Sequence, residues 1–135
     1  MNRTTLLALA SRVEAATGAE QREMLEAAFV AVHGPKPARV HGGTSEWIAW
    51  LDLHNPFFAL LQAGGFLDAA MSLVPSGCSE WNVESWSAPC AIQPAHVRAT
   101  AWVSGAARVY AATPALALTA ACLRARAIAW SMTDD

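Results

Sequence analysis

Apolar residues near the N-terminus recur at intervals of three and four, which places them on one face of a helix. The members of this first stripe are Leu6, Leu9, Ala10 and Val13. We predict that this helix ends at Gly18, in the left-handed conformation that glycine adopts without strain. A second stripe predicts another helix over residues 20–32, whose acidic first turn suits the positive end of the helix dipole.

The pattern in the middle of the chain is harder to assign. Residues 47–53 hold a short apolar run, which fits a helix or a strand equally well. An Asn-Pro pair then offers an N-cap followed by Pro56 at a first helical position, so we predict a short helix over residues 56–63. Gly64 suits the cap after its last turn. A second short helix is predicted over residues 66–73.

Alternation of apolar and polar residues, which is typical of strands, begins further along the chain. It is clearest over residues 80–86 and 96–103, and a Ser-Gly turn then leads to a short return strand over residues 107–111. Residues 91–93 form a weak further strand between two prolines, which is more plausible at the edge of a sheet than at its centre.

The C-terminal segment predicts the longest helix. Thr113 is a good N-cap, and Pro114 follows at the first helical position. The expected core stripe of this helix consists of Leu116, Leu123, Ala127 and Trp130. The order of elements predicts an α+β domain, in which a small antiparallel β-sheet is sandwiched between α-helices.

Length and composition restrict the class of protein. The chain has 135 residues, 54% of them hydrophobic and 15% charged, with a net charge of -2. We expect one domain over residues 1–135 and exclude a disordered chain. A net charge this close to zero excludes a wholly basic surface, so no extended nucleic acid is expected as a partner. The three cysteines stand at wide spacings without a disulfide pattern, which favours a reducing, cytoplasmic location.

Two apolar stretches raise the question of export or of a membrane. The N-terminal stretch is short and continues at helical spacing, so we interpret it as part of the first helix and not as a signal peptide. Residues 111–130 are rich in Ala and Leu but contain Arg124 and Arg126, which are costly inside a bilayer. We therefore predict a buried core helix and no membrane partner.

Three stretches of the chain carry a resemblance to a known family. They are Val-Glu-Ala-Ala-Thr-Gly at residues 13–18, Phe-Leu-Asp-Ala-Ala-Met-Ser-Leu-Val-Pro at residues 66–75, and the Ala-Leu-rich segment at residues 111–127. In this order they resemble small bacteriophage and prophage proteins with a phage ABA sandwich domain. The resemblance implies helices on both faces of an antiparallel sheet and a phage or prophage origin, but no particular activity. Residues 35–65 are longer and richer in Trp than the resemblance leads us to expect.

No motif in the chain points to catalysis. The histidines lack the spacing of metal sites, and no Cys-x-x-Cys pair is present. A nucleophile elbow, a phosphate loop and a dinucleotide fingerprint are likewise missing from the sequence. A nucleophilic Cys with a His partner stays open, since nothing in the sequence places one beside the other. We therefore expect a non-enzymatic protein without a metal or other cofactor.

The distribution of charge is uneven along the chain. Residues 14–84 hold nine acids and three bases, whereas residues 85–133 hold four arginines and no acid. If the predicted strands pack on the final helix, these arginines form a basic patch, and the planar guanidinium suits bidentate phosphate binding. We predict that Arg98 and Arg108 clamp a phosphate. The alternative is that they neutralise acids of the early helices.

Arg124 and Arg126 of the predicted final helix also belong to this excess. The negative end of the helix dipole favours cations at that end of the helix. Because residues two apart on a helix point to nearly opposite sides, we expect that these two arginines do not line one pocket.

Residues 35–65 hold the remaining candidates for a binding site. Trp47 and Trp50 lie near Arg39 and His41 in the sequence. Aromatic faces beside an arginine suit stacking on a nucleic-acid base, or contact with another protein or another copy of this chain. We include all four residues in the predicted ligand site.

Two hypotheses follow for the function. The first is a binding protein for a small anionic ligand, acting as a homo-oligomer that sequesters a linear or cyclic nucleotide signal of bacterial immunity in a counter-defence role. The second is a protein-protein adaptor or inhibitor, which acts on a host or phage protein through the Trp-rich segment at residues 35–65.

Overall fold

The computed structural model describes residues 2–37, 45–78 and 80–133. Five helices and three strands lie within these ranges: α1 (Arg3–Ala15), α2 (Gln21–His33), α3 (Ser45–Gln62), α4 (Phe66–Met71), β1 (Trp81–Ser85), β2 (Ala99–Val103), β3 (Val109–Ala111) and α5 (Pro114–Thr133). A 3-10 turn (Gly18–Glu20) joins α1 to α2. The predicted α+β fold with a small antiparallel sheet is confirmed.

α5 is the element around which the others pack. Residues 115–123 are all buried, so every side of this part of the helix is covered. A helix that is apolar all round is stable only where other elements cover each of its faces. α5 contacts all three strands, and it also contacts α1, α2 and α4. α5 is therefore a middle layer between the sheet and the other helices.

The strands form one antiparallel sheet in the order β1-β2-β3. In the central strand, Ala101 lies opposite Val83 of β1 and Val109 of β3. Because side chains alternate across a strand, Ala99, Ala101 and Val103 share one face, and all three are fully buried. This is the face that packs on α5, while the intervening positions of β1 and β3 are exposed.

Capping side chains mark the starts of two helices. Thr113 Oγ1 accepts a hydrogen bond from the Leu116 backbone N–H at 3.2 Å, and Pro114 is the first residue of α5, as predicted. The Thr113 hydroxyl also donates to Gln21 Oε1 at 2.7 Å, so the same side chain ties α5 to α2. At α1, Asn2 Oδ1 accepts from the backbone N–H of Thr5 at 2.9 Å.

The end of α1 differs from the prediction. α1 ends at Ala15, and Gly18 begins the 3-10 turn without adopting the left-handed conformation. The backbone N–H and the hydroxyl of Thr17 both donate to Glu20 Oε1 at 3.0 Å, and these bonds lower the pKa of Glu20. A capping box therefore shapes this link. The predicted left-handed cap is confirmed at Gly64, where φ is 79°.

The predicted start of the helix over residues 56–63 is wrong. It is the end of the longer α3, which includes the ambiguous apolar run and continues through Pro56. A proline inside a helix removes one hydrogen bond and crowds the carbonyl four residues earlier. Trp50, Phe57 and Leu61 lie on either side of Pro56 and are buried on one face of α3. We infer that burial of this face offsets the cost of the proline.

The weak strand predicted over residues 91–93 is also wrong, because this segment turns. The backbone N–H of Gln93 donates to the carbonyl of Cys90 at 3.2 Å, and Ile92 is 86% exposed. The flanking prolines lack the N–H that a sheet ladder needs, and the segment has no buried apolar face to hold it in a sheet.

The core stripe predicted for α5 is confirmed at Leu116, Leu123 and Ala127, which are fully buried. Its fourth member, Trp130, is 37% exposed and lines a cavity instead of the core. None of the helices in the described ranges combines the length and the apolar composition needed to cross a membrane.

Replacing the α5 cap tests how strongly it stabilises the fold. Thr113→Ala removes the bond from Leu116 and the bond to Gln21, so we expect unfolding free energy to fall by about 1–2 kcal/mol. Urea denaturation followed by circular dichroism measures this change. Thr4→Ala is the control, because Thr4 is exposed, and we expect its effect to stay within about 0.5 kcal/mol. Equal losses in the two variants would contradict a special role for the cap.

Candidate functional site

A cavity of about 530 Å³ lies among the described residues. It lies between the end of α2, the turn after α4, the end of β2 and the C-terminal half of α5. Its volume falls within the roughly 300–1,000 Å³ of small-molecule sites. The lining is mainly apolar and includes Leu6, Val32, Pro75, Val103, Ala125 and Trp130. We call it the Arg126 cavity, after its one cationic lining residue.

Arg126 enters this cavity from α5 and is partly buried. Its Nε and Nη2 donate to the carbonyl oxygen of Leu73 at 3.2 and 2.8 Å. A guanidinium has five N–H groups, so three are left without a protein acceptor among the described residues. No carboxylate in the described ranges forms an ion pair with it. Burial lowers the pKa of Arg126, because its charge is partly removed from water.

Arg124 lies two residues earlier and, unlike Arg126, pairs with an acidic side chain. Its Nε donates to Glu14 Oε2 of α1, and its Nη2 lies 3.4 Å from the Ser11 hydroxyl. The two arginines therefore point to different sides of α5, as their spacing predicts. The charge of Arg124 is neutralised by Glu14, whereas the partner of Arg126 among the described residues is a carbonyl.

The charge of Arg126 also affects the pKa values of two nearby groups, His33 and Cys122. Burial lowers the pKa of His33, and the positive charge of Arg126 lowers it further, so the imidazole is neutral at pH 7. Burial also raises the pKa of the Cys122 thiol to about 12, although Arg126 opposes this rise. Cys122 is therefore a protonated thiol and a poor nucleophile. Cys78, at the cavity wall, donates from Sγ to the carbonyl of Glu80 at 2.9 Å.

The predicted phosphate clamp is not assembled at the Arg126 cavity, since neither of its arginines lines that cavity. Arg98 directly precedes β2, and its Nη1 donates to the carbonyl of Ala95. Arg108 is exposed and directly precedes β3, beside the other end of β2. At about 3.3 Å per residue, the two lie on the order of 10 Å apart along the sheet.

The predicted aromatic part of the site divides in three. Arg39 and His41 lie outside the described residues. Trp47 is half-buried, with the Lys36 ammonium 4.7 Å from its ring centroid. Trp50 is only 8% exposed, stacks on His54 at 4.3 Å, and donates from Nε1 to the carbonyl of Gly34 at 3.1 Å. Trp50 is thus mainly a packing residue between α3 and α2.

Sequence reasoning did not select Arg126, Trp130 or Cys78 as site residues. The available signal was an arginine inside an otherwise apolar helix, which needs a partner wherever it is buried. The spacing of Arg124 and Arg126 showed that they diverge, but it did not show which one would meet an acid. That choice depends on Glu14, which is more than a hundred residues away in the chain.

Comparison with known proteins finds no relative of this chain, since no family model, no curated protein and no solved structure matches it. The resemblance to phage proteins therefore stays a prediction. Within the described residues, no group of three or more His, Cys, Asp or Glu side chains is arranged to hold a metal ion.

The pKa of His33 predicts how stability changes with pH. Because this pKa is below its ordinary value of 6.5 in the folded state, the unfolded chain takes up the proton first as the pH falls. The stabilisation is fully present above pH 6.5 and is lost as the pH falls through the lower, folded pKa. We expect urea midpoints to drop as the pH falls below 6.5 towards the lowered pKa of the folded state. His33→Gln should reduce this drop, whereas His96→Gln, at an exposed site, should not.

Proposed function

We propose that this protein binds a small organic anion in the Arg126 cavity and does not transform it. The observation that carries the proposal is a partly buried guanidinium with three free N–H groups and no acidic partner among the described residues. A partly desolvated charge without a counter-ion is unfavourable, and an anionic ligand would supply the missing partner.

The lining of the cavity restricts the ligand. One arginine supports a single anionic group, held by paired N–H···O bonds as in arginine–carboxylate or arginine–phosphate contacts. The apolar walls, with Val32, Val103 and Trp130, favour a ligand with an apolar or aromatic body next to that group. Carboxylates with an aromatic body and nucleoside monophosphates both fit this description.

The resemblance to phage proteins extends the proposal to a biological role. In that setting, a nucleotide signal of bacterial immunity is the anion, and the protein acts as a sponge in the host cytoplasm. Arg98, Arg108, Arg39, His41, Trp47 and Trp50 stay predicted contacts for this larger ligand. A ligand with two phosphates would need a second cation, and in this proposal Arg98, Arg108 or Arg39 supplies it.

Removing the charge of Arg126 tests the site directly. We expect Arg126→Met to weaken binding of the anion at least about tenfold, which corresponds to losing one charge-assisted contact. Native mass spectrometry with a panel of aromatic carboxylates, nucleoside monophosphates and cyclic dinucleotides identifies the ligand, and calorimetry gives the affinities. Release of the ligand unchanged on denaturation is expected of a sponge, whereas a product of altered mass would contradict non-enzymatic binding.

Arg124→Met is the matched control, since it removes an equivalent side chain from the same helix outside the cavity. We expect it to lower stability without changing affinity for the anion. Arg126→Met leaves the Leu73 carbonyl without its partner, so circular dichroism must first show that the variant is folded. Equal affinity in wild type and a folded Arg126→Met variant would overturn the assignment.

A second candidate function is the protein-protein adaptor or inhibitor. It is supported by two exposed apolar residues of α3, since Ile48 is 57% exposed and Leu53 is 50% exposed. Exposed apolar side chains on one helix suit contact with a partner protein or with a second copy of this chain. Trp50 of the Trp-rich segment is buried and is not available to a partner. In this proposal the segment therefore contacts the partner through other residues of α3.

Charges at these two exposed positions of α3 test this second function. We expect Ile48→Asp combined with Leu53→Asp to convert an oligomer to a monomer in native mass spectra, or to abolish capture of a partner from bacterial lysate. Ile92→Asp is the control, because Ile92 is more exposed than either residue and lies outside α3. A monomeric wild type that captures no protein would contradict the adaptor role.

A further inference from the structure

A second cavity, of about 360 Å³, lies between α2, α3 and the residues that follow α2. Five aromatic side chains line it: Phe29, Trp50, His54, Phe57 and Phe58. We call this cavity the aromatic cleft. It shares no lining residue with the Arg126 cavity, although α2 contributes to the walls of both.

The rings of the aromatic cleft have an ordered arrangement. Trp50, His54 and Phe58 follow one another at intervals of four residues on α3, so they occupy successive turns of one face. His54 is stacked between its neighbours, with centroid distances of 4.3 Å to Trp50 and 5.5 Å to Phe58. Phe29 of α2 meets Trp50 and His54 edge-on, at 5.8 and 5.3 Å. The result is a ladder of nearly parallel rings with an aromatic edge across from it.

Polar groups at the cleft are only weakly engaged. His54 lines the cleft and makes no hydrogen bond within the described part of the chain, so its ring nitrogens are available to a ligand. Glu26 meets Arg22 at a long 3.5 Å, and both side chains are about half exposed, so this pair contributes little. A ligand that forms hydrogen bonds at the rim would therefore displace little that stabilises the protein.

The charges around the cleft argue against a cationic occupant. The Arg22 guanidinium lies 5.7 Å from the Phe58 ring centroid, and the Lys36 ammonium lies over the neighbouring Trp47. These cations already occupy ring faces at the rim and would repel another cation. An aliphatic chain would fill the volume but would use neither the ring geometry nor the hydrogen-bonding groups.

We propose that the aromatic cleft binds a planar heteroaromatic ring, such as a purine, that stacks on the face of Phe58 away from His54, in place of the Arg22 guanidinium, and forms hydrogen bonds with His54 and Glu26. Two observations support it together: a ring-lined cavity at the lower end of the small-molecule range, and free hydrogen-bonding groups at its rim. The exposed apolar surface of Val30, at 40%, and of Phe58, at 37%, would become covered by the ligand. This site is independent of the anion site at Arg126.

Neutral probes test the cleft without engaging the anion site. Adenosine and indole carry the planar ring and no negative charge, and ribose and cyclohexanol are their counterparts without an aromatic ring. Calorimetry and proton NMR are the measurements. We expect saturable binding of an aromatic probe, with upfield shifts of its ring protons from stacking. Binding of ribose or cyclohexanol with equal affinity would overturn the proposal.

Variants show where in the protein the aromatic probe binds. Phe58→Ala removes a partly exposed ring. We expect it to weaken binding of the aromatic probe at least about fivefold, as the loss of a base-stacking contact does. Leu53→Ala, on another side of α3, and Arg126→Met should leave the affinity unchanged. Equal weakening in Phe58→Ala and Leu53→Ala, or no saturable binding of either aromatic probe, would overturn the proposal. Because Arg126→Met affects only the anion site, failure of one site is distinguishable from failure of the other.

Discussion

The fold depends on the complete burial of the first half of α5. Residues 115–123 have no exposed side, and the sheet and three helices all pack against them. Such a helix has no stable position until its neighbours are in place, since any uncovered face would leave apolar surface in water. Alanines at Ala117, Ala120 and Ala121 keep the helix narrow, so strands and helices approach its backbone closely. The core is thus assembled around a helix rather than between two sheets or two bundles.

The same constraint explains the Arg126 cavity. Past residue 123, α5 still runs through the protein but is no longer covered on every side, and two arginines appear there. α1 supplies an acid for Arg124, whereas Arg126 receives one carbonyl. Partial burial of a cation beside a single neutral acceptor is less favourable than leaving it in water. The proposed anion would supply the charged partner that Arg126 lacks among the described residues.

Local signals in the sequence were sufficient wherever a neighbouring residue decides the structure. Thr113 and Pro114 predicted the start of α5, Gly64 predicted the end of α3, and alternation predicted the three strands. The continuation of α3 through Pro56 was not predictable, because burial of side chains against distant elements decides it. Which of Arg124 and Arg126 would pair with an acid was not predictable for the same reason, because the acid lies on the distant α1. Sequence patterns therefore predict elements better than they predict partners.

α2 connects the two cavities through His33 at its end. The imidazole lies 4.7 Å from the ring of Phe29, which lines the aromatic cleft, and its pKa is lowered in part by Arg126. An anion bound to Arg126 cancels that positive charge, so the pKa of His33 rises. A protonated His33 in turn attracts the anion, and by linkage the two effects are equal in free energy. Burial is the larger cause of the lowered pKa and is unchanged by the anion, so the imidazole of His33 stays neutral at pH 7 and the two cavities act independently there.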